Sequence, residues 1–182
     1  KRSIACLEKL PQNEAVQKRV IDARVMLSIY YQSLGYHIEA KNTVEPVVKL
    51  ALDLKYQKRI LGIYLTMGMY YIWVEEDFFK GKQYLNKVFE IAPEVEDFSA
   101  LWFANYELGS AICQDYQFDE CMAYLKTDLD LSVLSKKHTG ISLSKSSLAM
   151  NYYFQGKVDL AFQVSREALE SATESDDIHA LQ

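Results

Sequence analysis

Three histidines, three cysteines and two small groups of acids are the residues of this 182-residue chain whose types could do chemistry. His37, His138 and His179 stand far apart, on what read as a turn, a loop and a terminal helix, and none has a Cys or carboxylate companion at zinc-ligand spacing. Cys6, Cys113 and Cys121 are odd in number and form no CxxC pair, which argues against a disulfide framework or a zinc knuckle and fits a reducing cytoplasm. The acid run Glu75, Glu76, Asp77 could attract a cation, but acids beside a helix start are explained by capping and the helix dipole. Asp128 and Asp130, the one conceivable acid pair, diverge by about 200° around a helix and form no general acid/base dyad. There is no glycine-rich phosphate loop, no HExxH and no nucleophile motif. The expectation is a protein without catalysis, metal or cofactor.

Composition narrows the classes further. Acids outnumber bases 25 to 20, leaving a formal charge of -5, so no surplus of Lys and Arg exists to follow a phosphate backbone. Nucleic acid is not an expected partner. The longest uncharged run, Ile60 to Val74, spans about 22 Å as a helix against a hydrocarbon core of about 30 Å, so no membrane span is expected. The N-terminus carries charges at Lys1, Arg2, Glu8 and Lys9 and leaves no signal-peptide core, which predicts a cytoplasmic location. The chain opens without Met inside helix-like sequence and stops in "DDIHALQ", so it reads as part of a longer array.

Few breakers and pervasive 3.6-type apolar spacing predict an all-helical fold. Small residues then reveal a repeat. Ser28, Gly68, Gly109 and Ala149 are spaced 40, 41 and 40, each preceded by an apolar residue (Leu27, Met67, Leu108, Leu148) and followed at i+3 by a large one (Tyr31, Tyr71, Ile112, Tyr152). A second ladder, Ala40, Gly81, Cys121 and Ala161, is spaced 41, 40 and 40. Both place one extra residue between Gly68 and Gly81, with the "EED" turn as its natural home. A small side chain on each of two antiparallel helices lets their backbones approach, so each unit reads as a helical hairpin, and hairpins that cannot bury both faces alone should stack into a solenoid. Cys121, on an anchor, should be a buried inert thiol. The reading is one array: a partial helix over 1–11, hairpins at about 14–56, 57–95, 96–136 and 138–175, and the start of a further helix at 177–182.

The stretch "LAMNYYFQGKVDLAFQVSREAL" resembles the tetratricopeptide repeat through Leu148, Ala149, Tyr152, Gly156, Val158, Ala161 and Ala168. The second unit resembles it through Tyr64, Met67, Gly68, Tyr71, Phe78, Gly81 and Pro93, and the first through Leu27, Ser28, Tyr31, Gly35 and Ala40. Departures are Asp128 at a usually small position, Pro46 inside a second helix, and a period longer than the usual 34. The resemblance is to the long-helix variety of bacterial signalling and regulatory proteins. It implies a right-handed superhelical solenoid whose first helices line a concave face.

On that implication the groove residues are Val25 and Ile29, then Leu65, Met69, Ile72 and Trp73, then Phe103 and Tyr106, then Met150, Tyr153 and Phe154. Asp22, Cys113 and Gln114 are placed there too. The set lacks Lys and Arg, so no basic clamp for a peptide carboxylate is expected. Its apolar and Met-containing character suits an amphipathic helix or apolar segment of a protein or peptide partner, with a second copy of the chain as the rival cover. The expected role is a non-catalytic interaction or assembly module in a larger cytoplasmic signalling protein of the nucleotide-binding ATPase or cyclase kind. The alternative is a peptide-sensing domain controlling a transcriptional output domain.

Overall fold

The computed structural model describes residues 2–136 and 138–174, so the further helix expected at 177–182 lies outside the described residues. The described residues are helical throughout, with no strand. The helices are α1 (Arg2–Leu7), α2 (Glu14–Ser33), α3 (His37–Val44), α4 (Val48–Asp53), α5 (Gln57–Trp73), α6 (Phe78–Ile91), α7 (Phe98–Gln114), α8 (Phe118–Leu134), α9 (His138–Phe154) and α10 (Val158–Glu174). A 3-10 turn, Glu45–Val47, joins α3 to α4. The break falls at Pro46, which has no N–H to continue the ladder. The expected first helix over 1–11 is shorter, ending at Leu7, and is held by the buried Ile4.

Chain punctuation follows the sequence period. Among the described residues seven adopt left-handed backbone, Gly35, Lys55, Glu76, Glu96, Tyr116, Lys136 and Gly156, at steps of 20, 21, 20, 20, 20 and 20. Five of these turns close with an amide bonded to the carbonyl five residues back: Tyr36 N to Tyr31 O at 2.8 Å, Tyr56 to Ala51 at 3.0 Å, Asp97 to Ala92 at 2.9 Å, Gln117 to Ile112 at 3.3 Å and Lys157 to Tyr152 at 2.9 Å. The turn at Glu76 instead closes from Asp77 N to Tyr71 O, at 2.8 Å, over six residues. The inserted residue therefore sits between Tyr71 and Asp77, where the ladders placed it. Asp77 also caps α6, its carboxylate accepting from Lys80 N at 3.0 Å.

The chain forms two compact units, residues 1–100 and 101–182. In the first, α5 packs on α2 and α3, α6 packs on α5, and α1 packs on α2. Small residues set these approaches. A Cβ on Gly62 would stand 2.7 Å from Val25 Cγ1; one on Gly68, 2.7 Å from Leu85 Cδ2; one on Gly81, 2.4 Å from Ile72 Cγ1 and 3.0 Å from the Gly68 carbonyl oxygen. In the second unit, α9 packs on α8 and α10 on α9. Gly109 on α7 sits against Leu125 of α8, and Gly140 on α9 against Ser132 of α8 and Trp102 of α7. All eight ladder residues are buried, as close helix contact requires.

The first long helix starts on a side-chain cap: Asn13 Oδ1 accepts from Val16 N at 3.0 Å. Replacing Asn13 with Ala removes that acceptor and should lower the stability of the first unit by about 1 kcal/mol in urea unfolding, with Asn13→Asp close to unchanged.

Candidate functional site

The second unit carries an open apolar groove. With a volume of about 500 Å³, it runs between α9 and α10, lined on one side by Ala149, Met150 and Tyr153 and on the other by Val158, Phe162 and Leu169. Met150, Tyr153, Val158, Phe162 and Leu169 are all more than half exposed. At the base of the groove α9 and α10 each place a small buried residue, Ala149 and Ala161, which allows the backbones to approach and leaves the larger side chains on the outer rim.

The expected binding residues divide between the units. In the first unit Ile29 is exposed, and Leu65 and Trp73 are half-buried. Val25, Met69 and Ile72 are buried, which corrects their assignment to a partner-facing surface. The cause is helix packing: Val25 lies against Gly62 of α5, and Ile72 against Gly81 of α6. Asp22 is engaged as well, accepting from Arg59 Nε at 2.5 Å and from the Tyr56 hydroxyl at 3.1 Å. In the second unit Met150 and Tyr153 line the groove, while Phe154 meets Tyr153 and Tyr116 through ring contacts at 6.0 and 6.3 Å. Phe103 and Tyr106 are half-buried and form an aromatic group with Trp102. Tyr106 packs inward: burial, then the nearby Glu107, raises its phenol above the ordinary value, and Ser147 and Ser110 lie beside its hydroxyl.

Cys113 is buried rather than groove-facing. Cys121 is the buried, inert thiol expected, pushed up to about 12 chiefly by burial, with Asn151 Nδ2 donating to its sulfur at 2.8 Å. His37 opens α3, and burial lowers its value, holding it neutral near pH 7. Among the described residues no group of three or more His, Cys, Asp or Glu is arranged to hold a metal ion, and no helix is long and apolar enough to cross a membrane.

Val158, Phe162 and Leu169 were outside the expected set because only first helices were assigned to the concave face. Their signal is in the sequence all the same: large apolar residues at i, i+4 and i+11 on α10, beside the inward stripe Ala161, Ala168 and Ala172.

Buried polar groups gather in the α7, α8 and α9 interior. Asp128 is fully buried, neither carboxylate oxygen has a hydrogen-bond donor, and the Ser132 hydroxyl one turn on is also buried and unpartnered. Ser144 of α9 spends its proton on the Gly140 carbonyl at 2.7 Å. Burial raises Asp128 to about 7; the adjacent Ser144 hydroxyl lowers it and the Glu107 carboxylate raises it by smaller amounts.

Comparison with known proteins gives no match: no family model, no curated protein and no solved structure is similar to this chain.

Proposed function

We propose that the chain is part of a right-handed superhelical solenoid of tetratricopeptide-like hairpins, and that it works without catalysis as a docking and assembly module of a larger cytoplasmic signalling protein. The α9–α10 groove is the observation that carries this reading. Its occupant is an amphipathic helix with a small residue at the contact and apolar residues on either side.

The molecule supplies the pattern for that occupant. One period earlier, the equivalent α7–α8 groove holds α9, with Gly140 seated between Trp102 and Ser132. In the first unit α5 lies on α2 with Gly62 against Val25. A helix built this way buries apolar rim that otherwise faces water, worth about 25 cal/mol per Å² before association costs.

The test uses a labelled peptide with the sequence of residues 138–154, the helix already seen to fit such a groove. Saturation at a hundredfold its dissociation constant should raise unfolding stability by about 2.7 kcal/mol. The paired substitution Phe162→Glu and Leu169→Lys, both at exposed positions, should weaken binding more than tenfold while leaving helix content unchanged. Failure of the peptide to bind, or binding unaffected by the pair, would overturn the groove. A concentration-dependent dimer abolished by the same pair would replace the peptide with a second copy.

A further inference from the structure

One core position separates the third hairpin from the others. Stepping by the period, Val47, Val88, Asp128 and Ala168 are equivalent, and so are Ala51, Ala92, Ser132 and Ala172. All eight are buried. Three hairpins therefore fill this pair of sites with apolar side chains, and one fills it with a carboxyl and a hydroxyl. Nothing about packing demands the exchange, since Val and Ala serve the same geometry elsewhere.

Among the described residues no cation acts on Asp128. From α7 it faces Glu107, itself buried, and Tyr106, whose phenol is neutral; from α9 it faces Ser144, whose hydroxyl is bonded to Gly140. Lys145, the basic residue next along α9, reaches to Glu167 of α10 at 3.3 Å. A buried carboxylate beside a second acid, with no donor on either oxygen, is strongly disfavoured as an ion.

We propose that the α7–α8–α9 core is a proton-linked device: these helices pack tightly while Asp128 holds a proton and loosen when it gives the proton up. The sign follows from linkage. The folded value of about 7 lies above the ordinary 3.8, so between these two pH values the packed core keeps a proton that the opened core releases. Protection against opening is full below about pH 4, falls about tenfold per pH unit up to about pH 7, and is flat above. α9 carries both Ser144 and the groove residues Met150 and Tyr153, so the same proton should also tune docking. That last consequence rests on the groove reading; the device itself does not.

Native-state hydrogen exchange of α8 and α9 amides in the complete chain, without any partner, tests the device alone. After correction for intrinsic exchange, protection should fall about a hundredfold between about pH 5 and about pH 7, and Asp128→Asn should abolish the slope, as should Asp128→Val, which installs the residue found at position 88. A flat wild-type profile, or an equal slope in the variants, overturns the proposal. So does a change in wild-type protection at about pH 7 when KCl is replaced by choline chloride, which would mean that a metal cation neutralises the site. Should neither variant fold, carbon-13 titration of the Asp128 carboxyl in the unaltered chain decides: a midpoint near 7 supports the device and one near 4 sinks it. Peptide affinity measured across the same pH range reads the coupling to docking separately.

Discussion

Gly81→Val is expected to lower the stability of the first unit by about 3 kcal/mol, near the upper end of the overpacking range. The new Cβ would fall 2.4 Å from Ile72 Cγ1 and 3.0 Å from the Gly68 carbonyl oxygen. Ile72 is buried near the C-terminal end of α5 and cannot swing clear without moving its own neighbours, while the carbonyl is helix backbone and can yield only if α5 and α6 separate. Combining Gly81→Val with Ile72→Ala tests this account. The clash with Ile72 disappears but the carbonyl contact stays, so recovery should be partial. Urea unfolding read through hydrogen exchange of α5 and α6 amides measures both variants. A loss below about 0.5 kcal/mol for Gly81→Val, the size of an ordinary surface change, would show that the crossing is looser than described.

Leu125→Ala should cost the second unit about 3–5 kcal/mol. Leu125 is fully buried on α8, and its Cδ2 would stand 2.8 Å from a Cβ on Gly109 of α7. Removing the isopropyl end of the side chain loses transfer energy and opens a cavity bounded by glycine, with no side chain on that wall to lean in. The companion change Gly109→Ala is harmful alone for the opposite reason, because its methyl runs into Leu125 and, at 3.3 Å, Tyr124 Cβ. Together the two should be less damaging than their sum by about 1 kcal/mol, the signature of direct contact in a double-mutant cycle. Leu134→Ala, on the same helix but 77% exposed, is the control and should change stability by less than about 0.5 kcal/mol. Strict additivity of the Gly109 and Leu125 changes would mean that the two residues do not meet.

The helices and their close approaches were legible because glycine and alanine at fixed steps report backbone proximity, and proximity is what packed helices need. The inserted residue could be located to the turn for the same reason: Asp77 N reaching back six residues to Tyr71 is the geometric form of a 41-residue step. The groove was legible only in part. Met150 and Tyr153 were expected to face a partner and line an open surface, yet Val25, Met69 and Ile72, chosen by the same register, are buried. Register gives the direction in which a side chain leaves its helix; it does not say whether another helix stands there. Phe162 and Leu169 escaped notice because only first helices were assigned to the concave face. Asp128 stood out as an exception to the small-residue pattern, but its proton depends on Glu107 and Ser144, residues 21 and 16 positions away on other helices, and one-dimensional spacing does not reveal such a neighbourhood.

The left-handed turns have a bearing on how the molecule tolerates change. Only two of the seven are glycine; Lys55, Glu76, Glu96, Tyr116 and Lys136 hold that conformation with a Cβ present, at an intrinsic cost of roughly 1 kcal/mol each. What stops each helix is thus the closing amide bond and the arrival of the next helix, not the chemistry of the turn residue. At the five corners that already carry a Cβ the residue type can be exchanged with little consequence, while Gly35 and Gly156 resist a side chain; the number of residues between corners is stricter, because one more or fewer rotates every following side chain by about 100° about its helix axis. The Tyr71–Asp77 corner shows the single way such a change has been absorbed: inside a turn, where the surplus residue lengthens the loop and leaves the phase of both helices intact. The molecule behaves as a text in which spelling at most line breaks is freer than line length.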